Sequence, residues 1–299
     1  MSQYQRLLLI ADDDFPDSAA TERAVALAIG TGASIHVLAL VQEPARAHML
    51  ELKMNEEERA EYFERYEAWV QASVALLQSR QVHVTFQAIW TDDPLTQILI
   101  GIRELKPDVV IKGTQMLPLL KRVFMTPLDW DLLHASAVPV HFVNHGARAL
   151  PNVVVAAVDP SNSEPALQSF NQEIIKVAEG FARQCCAELH LVYAYDLTAA
   201  FMAETSAAVC WVEELRAALF EPFKALADSC HMPDSRRHFV MGSPVKVIKD
   251  LVQELRADVV VMGAVQPKGL GKLIGDTTER ALQIQACSVL TIKPGSHLV

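Results

Sequence analysis

The sequence predicts an α/β protein of two tandem doubly wound domains, each a five-stranded parallel sheet flanked by helices. Three observations lead there. The chain is written twice: "RLLLIADDDFPDSAATERAVALAIGTGASIHVLALV" opens the first half and "NVVVAAVDPSNSEPALQSFNQEIIKVAEGFARQCCAELHLVYAY" the second. Continuous apolar runs such as VVVAAV and DVVVMG read as strands buried on both faces, as in a parallel sheet. Strands alternate with helical segments throughout, the pattern of a doubly wound sheet. The length of 299 residues, about twice a common domain, agrees.

Each half opens on an apolar strand that ends in an aspartate, Asp13 in the first and Asp159 in the second. A polar turn, a helix and a second apolar strand follow. Further on, "DPLTQILIGIRELKPDVVIKGTQ" matches "SPVKVIKDLVQELRADVVVMGAV", setting Asp108 against Asp258 and Gly113 against Gly263. The halves close on "WDLLHASAVPVHFV" and "ERALQIQACSVLTIK", each a helix and a strand. His, Gly and Pro interrupt the apolar pattern across 144–152, so the domains are expected at 1–146 and 150–299. Between the second and third strands each half carries a long helix, "MNEEERAEYFERYEAWVQASVALLQSR" and "AETSAAVCWVEELRAALFEPFKALADSC". The latter is expected to bend or break near Pro222. These helices cover the sheets or, with Trp69, Trp211 and Phe220, line an apolar ligand cavity.

Composition narrows the function classes. The hydrophobic share of 51% supports a buried core, and the formal net charge is -10 with no Lys/Arg cluster. Neither a nucleic-acid nor an anionic-membrane surface is expected, because both need concentrated positive charge. The opening MSQYQRLLLI has too short an apolar run for a signal-peptide core, and no later run reaches membrane-spanning length. All five cysteines fall in the second half without C-x-x-C spacing, as free thiols in a reducing compartment would. The expectation is a soluble, cytoplasmic protein.

The tandem layout, the ending "DVVVMG…GDTTERALQIQACSVLTIKPG" and the stretch "FMTPLDWDLLHASAVPV" together resemble the universal stress protein family, in its two-domain E type. The resemblance covers essentially the whole chain. It implies regulatory and protective roles under stress without a defined catalytic reaction. Its ATP-binding members use an aspartate at the end of the first strand, backbone at the end of the second, and a loop of spaced glycines whose last is followed by Ser or Thr. Glycines let the backbone approach phosphates, and the helix that follows aims N–H groups at them.

Carried onto this chain, the resemblance implies a site for ATP or AMP with Mg²⁺ in the second domain. Asp159 and Ala194 would make the ribose and adenine contacts, and Met262 and Gly263 start the phosphate loop. Gly269, Gly275, Asp276, Thr277 and Thr278 continue it. The match is incomplete. Eleven residues separate Gly263 from Gly275, one fewer than in the family loop, Gln266 replaces the middle glycine and Asp276 replaces Ser/Thr. Two readings stand. Asp276 either caps the helix and takes the donors a phosphate needs, or Thr277 supplies the hydroxyl and the loop still holds a nucleotide. In the first domain the stretch TQMLPLLKRVFMTPLDW after Gly113 holds no glycine, and Pro127 and Asp129 stand where glycine and hydroxyl belong, so that loop is degenerate.

Other chemistry is weaker. The pyrophosphatase loop, the His-x-Gly-His pattern and the G-x-x-x-x-G-K-[ST] loop are absent. Asp12, Asp13 and Asp14 suit either Mg²⁺ or helix capping. His134, His141 and His145 lack zinc-ligand spacing. The function expected is a non-catalytic stress-response regulator or protective factor. The alternatives are a weak ATPase using the second-domain loop and a carrier of an apolar or acyl ligand. The apolar closing strands suggest that the halves form an intramolecular pseudo-dimer, with a homodimer open.

Overall fold

The computed structural model describes residues 4–43, 54–117, 122–161, 164–195, 208–264 and 287–295. Contacts divide the chain into two compact units at Leu150/Pro151.

The first repeat runs β1 (Arg6–Ile10), α1 (Ala19–Thr31), β2 (Ser34–Val41), α2 (Glu56–Gln78), β3 (Val84–Trp90), α3 (Pro94–Leu105), β4 (Val109–Gly113), β5 (Gln115–Leu117), β6 (Arg122–Phe124), α4 (Pro127–Ala135) and β7 (Val140–Val143). Its parallel sheet has the order β3-β2-β1-β4-β7. The second runs β8 (Val153–Ala157), α5 (Pro165–Cys185), β9 (Glu188–Tyr195), α6 (Ala208–Ser229), β10 (Arg237–Met241), α7 (Pro244–Leu255), β11 (Val259–Gly263) and β12 (Ser288–Ile292). Its parallel sheet has the order β10-β9-β8-β11-β12.

The strands form where the chain is a short β-branched or leucine run, and helices cover both faces of the central strands because those runs are largely apolar on both sides. Leu7, Leu8, Leu9, Val110, Ile111, Val154, Val155, Val259 and Val261 are each no more than 2% exposed. Helix ends follow local chemistry. Ser18 caps α1 by accepting from the Thr21 N–H at 3.2 Å, and Gly32 ends it in the left-handed region at φ 75°. Asn55 and Glu58 form a reciprocal capping box at the start of α2.

One pair of bonds recurs at the amino-terminal end of both sheets. Asp108 Oδ2 accepts from the N–H groups of Gln5 (2.6 Å) and Arg6 (2.8 Å). Asp258 Oδ2 accepts from Asn152 (2.7 Å) and Val153 (3.1 Å). Each carboxylate joins the start of the repeat's first strand to the start of its fourth.

Two elements differ from the sequence expectation. Helix α6 continues through Pro222 to Ser229 instead of breaking there. Phe223 and Ala227 just beyond the proline are fully buried, so packing outweighs the lost N–H. After Gly113, residues 115–117 and 122–124 pair as antiparallel strands that alternation of strand and helix did not suggest. No helix among the described residues is long and apolar enough to cross a membrane.

Candidate functional site

In each repeat the strand order reverses beside the first strand. From β1 the chain winds one way to β2 and β3 and the other way to β4 and β7, and β8 stands in the same position relative to β9 and β11. The crevice beyond the carboxyl ends of β1/β4 and β8/β11 is the place where such sheets bind ligands. Register makes the two crevices comparable. Leu7 pairs Val109 and Val154 pairs Val259, and the Asp108 and Asp258 bonds keep the same spacing. Asp12 and Asp159 are therefore equivalent. Matching Asp13 with Asp159 was off by one, because three consecutive aspartates hide where the strand ends.

The first repeat fills its crevice with its own side chains. The Asp12 carboxylate lies so close over Gly113 that a Cβ there would collide with Oδ2. Burial pushes the Asp12 carboxyl above its ordinary range, against a bond from Ser18 and with Asp14 adding to the rise. Beside it, Lys112 Nζ lies 2.6 Å from Asp129 Oδ1, and Asp129 is completely buried. That contact is electrostatic, since its direction does not satisfy a hydrogen bond. Asp129 Oδ2 accepts from the Thr126 N–H at 2.7 Å, while Thr126 Oγ1 accepts from the Asp129 N–H at 3.2 Å. The start of α4 thus spends its donors on a capping box, and its carboxylate faces an internal cation.

The second repeat arranges the same place differently. Ala157 pairs Val192 on one side and Met262 on the other. Asp159 and Ala194 follow two residues later on adjacent strands, and Gly263 follows Met262. Asp159, Ala194, Met262 and Gly263 therefore gather at one sheet edge, with neighbouring strands about 4.8 Å apart. Asp159 is exposed, and its Oδ1 accepts from the Ser161 N–H (3.1 Å) and hydroxyl (2.6 Å). Met262 is buried. Gly263 is met by the Phe170 ring where Gly113 is met by Asp12. Gln266, Gly269, Gly275, Asp276, Thr277 and Thr278 lie outside the described residues.

The remaining candidates separate. Asp13, Asp14, Asp17, Glu22 and His145 line an open acidic groove of about 690 Å³ at the start of α1. Among the described residues no three His, Cys, Asp or Glu side chains are placed to hold a metal ion. Trp69 packs edge-on against Phe15 at 5.9 Å, and Phe220 against Phe239 at 5.2 Å, each within its own repeat. The Trp211 side chain lies outside the described ones. His141 is buried beside Arg23, whose guanidinium nitrogens lie 2.7 Å from its Nε2 and 2.8 Å from the Ala149 and Arg148 carbonyls. His134 Nδ1 lies 2.6 Å from the Trp130 carbonyl, a contact within α4.

Sequence reading missed Lys112, Asn171 and the His190–His238 pair. The first two carried a signal. Lysine is out of place in the buried run VVIKG, and Asn171 sits in a helix interior, where asparagine is unfavourable. The histidine pair, Nδ1 to Nε2 at 3.0 Å across β9 and β10, depends on strand register and carried none.

A tandem pair of α/β repeats, one crevice self-filled and one with an exposed carboxylate at the switch point, defines the class of duplicated doubly wound proteins. The chain belongs to the universal stress protein family, whose family model matches residues 3–144 and 152–293. It is 27% identical over 305 residues to "Universal stress protein E" of Salmonella typhi, covering 99% of this chain and 96% of that one. To the homolog from Haemophilus influenzae it is 24% identical over 306 residues, covering 98% of each. Among solved structures, a Pseudomonas aeruginosa PAO1 protein of unknown function superposes with a TM-score of 0.79 at 22% identity, over 99% of this chain and 94% of that one. A universal stress protein from Archaeoglobus fulgidus gives 0.63 at 17%, over 98% and 99%.

Proposed function

We propose that this protein is a non-catalytic, cytoplasmic stress-response factor whose state is set by a nucleotide or similar small ligand in the second repeat. The observation that carries the reading is the contrast between Asp12 and Asp159. Asp12 is folded over Gly113 beside an internal ion pair, whereas Asp159 is exposed at the equivalent switch point. An exposed carboxylate there accepts hydrogen bonds from a ribose diol, and ATP or AMP with Mg²⁺ would extend toward residues 263–278. The two alike repeats on one chain fit an intramolecular pair.

Native mass spectrometry of freshly purified protein, with thermal shifts on added ATP·Mg²⁺, tests the reading. ATP at a hundred times its Kd would stabilise the folded state by about 2.7 kcal/mol. A shift that Asp159→Ala abolishes, without phosphate release, is the expected result. Phosphate release lost in Asp159→Ala would make the protein a weak ATPase instead. No bound nucleotide and no shift would overturn the reading.

A second reading, an apolar or acyl ligand, is favoured by Phe220 and Met241. They are 40% and 54% exposed, and Phe220 packs on Phe239, which stacks on Tyr195 at 4.2 Å. Release of an acyl compound on denaturation would support it.

A further inference from the structure

We infer that Phe170 and Asn171, on the amino-terminal extension of α5, are positioning residues that hold Asp159 outward and keep the second crevice open. The inference rests on the proposed ligand site, and its first tests need no ligand.

The two helices that follow the first strand stand in the same place over the sheet. An added Cβ on Gly113 would lie 3.7 Å from Ala20 of α1, and one on Gly263 would lie 3.2 Å from Ile174 of α5. Ala20 and Ile174 are thus counterparts. Helix α1 begins at Ala19, immediately before Ala20, whereas α5 begins at Pro165, more than two turns before Ile174. Phe170 and Asn171 lie in those added turns, and the first repeat has no helical residue there.

Both side chains act on Asp159. The Phe170 ring, 3% exposed, packs directly over Gly263, in the space the Asp12 carboxylate takes over Gly113. With that space filled by carbon, the Asp159 carboxylate has no room to fold inward and remains exposed. The Asn171 amide, 5% exposed, grips both backbone groups of Asp159. The Asp159 N–H donates to Oδ1 at 3.0 Å, and Nδ2 donates to the Asp159 carbonyl at 2.8 Å. Asparagine lowers helix propensity in a helix interior, so its presence there is accounted for by the loop it holds. Gly263 also gains a reason independent of phosphate, because any side chain would strike Phe170.

Crystal structures and amide hydrogen exchange of full-length Asn171→Leu, Asn171→Asp and Phe170→Leu test this. Asn171→Leu is expected to speed exchange of the Asp159 amide by roughly tenfold or more, the size of one lost hydrogen bond, with the β8 amides unchanged. Asn171→Asp keeps the acceptor for the Asp159 N–H but sets a second oxygen against the Asp159 carbonyl, so it is expected to retain only part of that protection. In Phe170→Leu the Asp159 carboxylate is expected to turn toward Gly263, as Asp12 lies over Gly113. Unchanged Asp159 exchange in Asn171→Leu, or an unmoved carboxylate in Phe170→Leu, would overturn the inference. ATP·Mg²⁺ titration then separates the two claims. A roughly tenfold loss of affinity in Asn171→Leu at unchanged melting temperature supports both. Wild-type protein that ignores ATP sinks the nucleotide reading alone and leaves the exchange and crystallographic results to judge the clamp.

Discussion

Replacing Lys112 by methionine, the residue at the corresponding position 262, tests whether the first crevice is held by its internal charge pair. In wild type the 2.6 Å contact joins a lysine side chain that is 9% exposed to an aspartate that is wholly buried. Removing one partner of such a pair leaves the other charge buried alone, which costs about 3–5 kcal/mol. Asp129 keeps its bond from Thr126, so the lower end, about 3 kcal/mol, is expected. For a unit of this size each kcal/mol lowers Tm by about 2–4 °C, giving a fall of roughly 6–12 °C. Tryptophan fluorescence during thermal unfolding reports it, because Trp69, Trp90 and Trp130 all lie in the first repeat. The double variant Lys112→Met/Asp129→Asn removes both charges and keeps an acceptor for Thr126, so it is expected to recover about 2 kcal/mol of the loss. A Lys112→Met protein within about 0.5 kcal/mol of wild type would refute the reasoning. So would a double variant no more stable than Lys112→Met.

Three further outcomes are expected. Gly263→Ala drives a methyl into the Phe170 ring and is expected to cost about 1–3 kcal/mol, partly restored by adding Phe170→Leu, in denaturant titrations. His190 and His238 are both lowered below the usual histidine value, chiefly by burial. For His190, Arg236 adds and Glu188 opposes; for His238, His190 adds and Glu254 opposes. The unfolded chain therefore binds more protons just below pH ~6.5, so stability rises with pH up to that value and falls on acidification. The denaturant midpoint should drop between pH about 7.5 and 5.5, less so in His238→Gln. Arg23→Leu leaves the Arg148 and Ala149 carbonyls without their guanidinium donor, and is expected to cost about 3 kcal/mol and to speed proteolytic nicking at 145–150.

The duplication and the parallel, doubly wound sheets were legible because runs such as VVIKG and VVVMG repeat with their preceding aspartates. Strand burial on both faces leaves a composition that alternation of polar and apolar residues cannot imitate. What escaped was set by tertiary contacts. Which of Asp12 and Asp13 matches Asp159 depends on register, and three like residues in a row offer no local mark. The helix through Pro222 continues because its buried face outweighs one missing donor. The antiparallel pairing of 115–117 with 122–124 follows a strand without the alternation that would announce it. At the candidate site, Asp159, Ala194, Met262 and Gly263 do meet at one edge. Sequence alone could not show that Gly263 serves a phenylalanine, or that an asparagine in a helix interior grips the Asp159 backbone.

The paired bonds from Asp108 and Asp258 anchor each sheet at the end opposite its crevice. A duplicated gene inherits two copies of such a foundation, and neither depends on what the upper edge carries. One copy can then fill its crevice with an internal lysine and aspartate without shifting a strand, while its twin keeps an accessible carboxylate. Divergence of role after duplication is in this way decoupled from the fold. Losing Asp108 or Asp258 should therefore weaken the strand joint in its own repeat, whereas changes at the crevices leave those joints untouched.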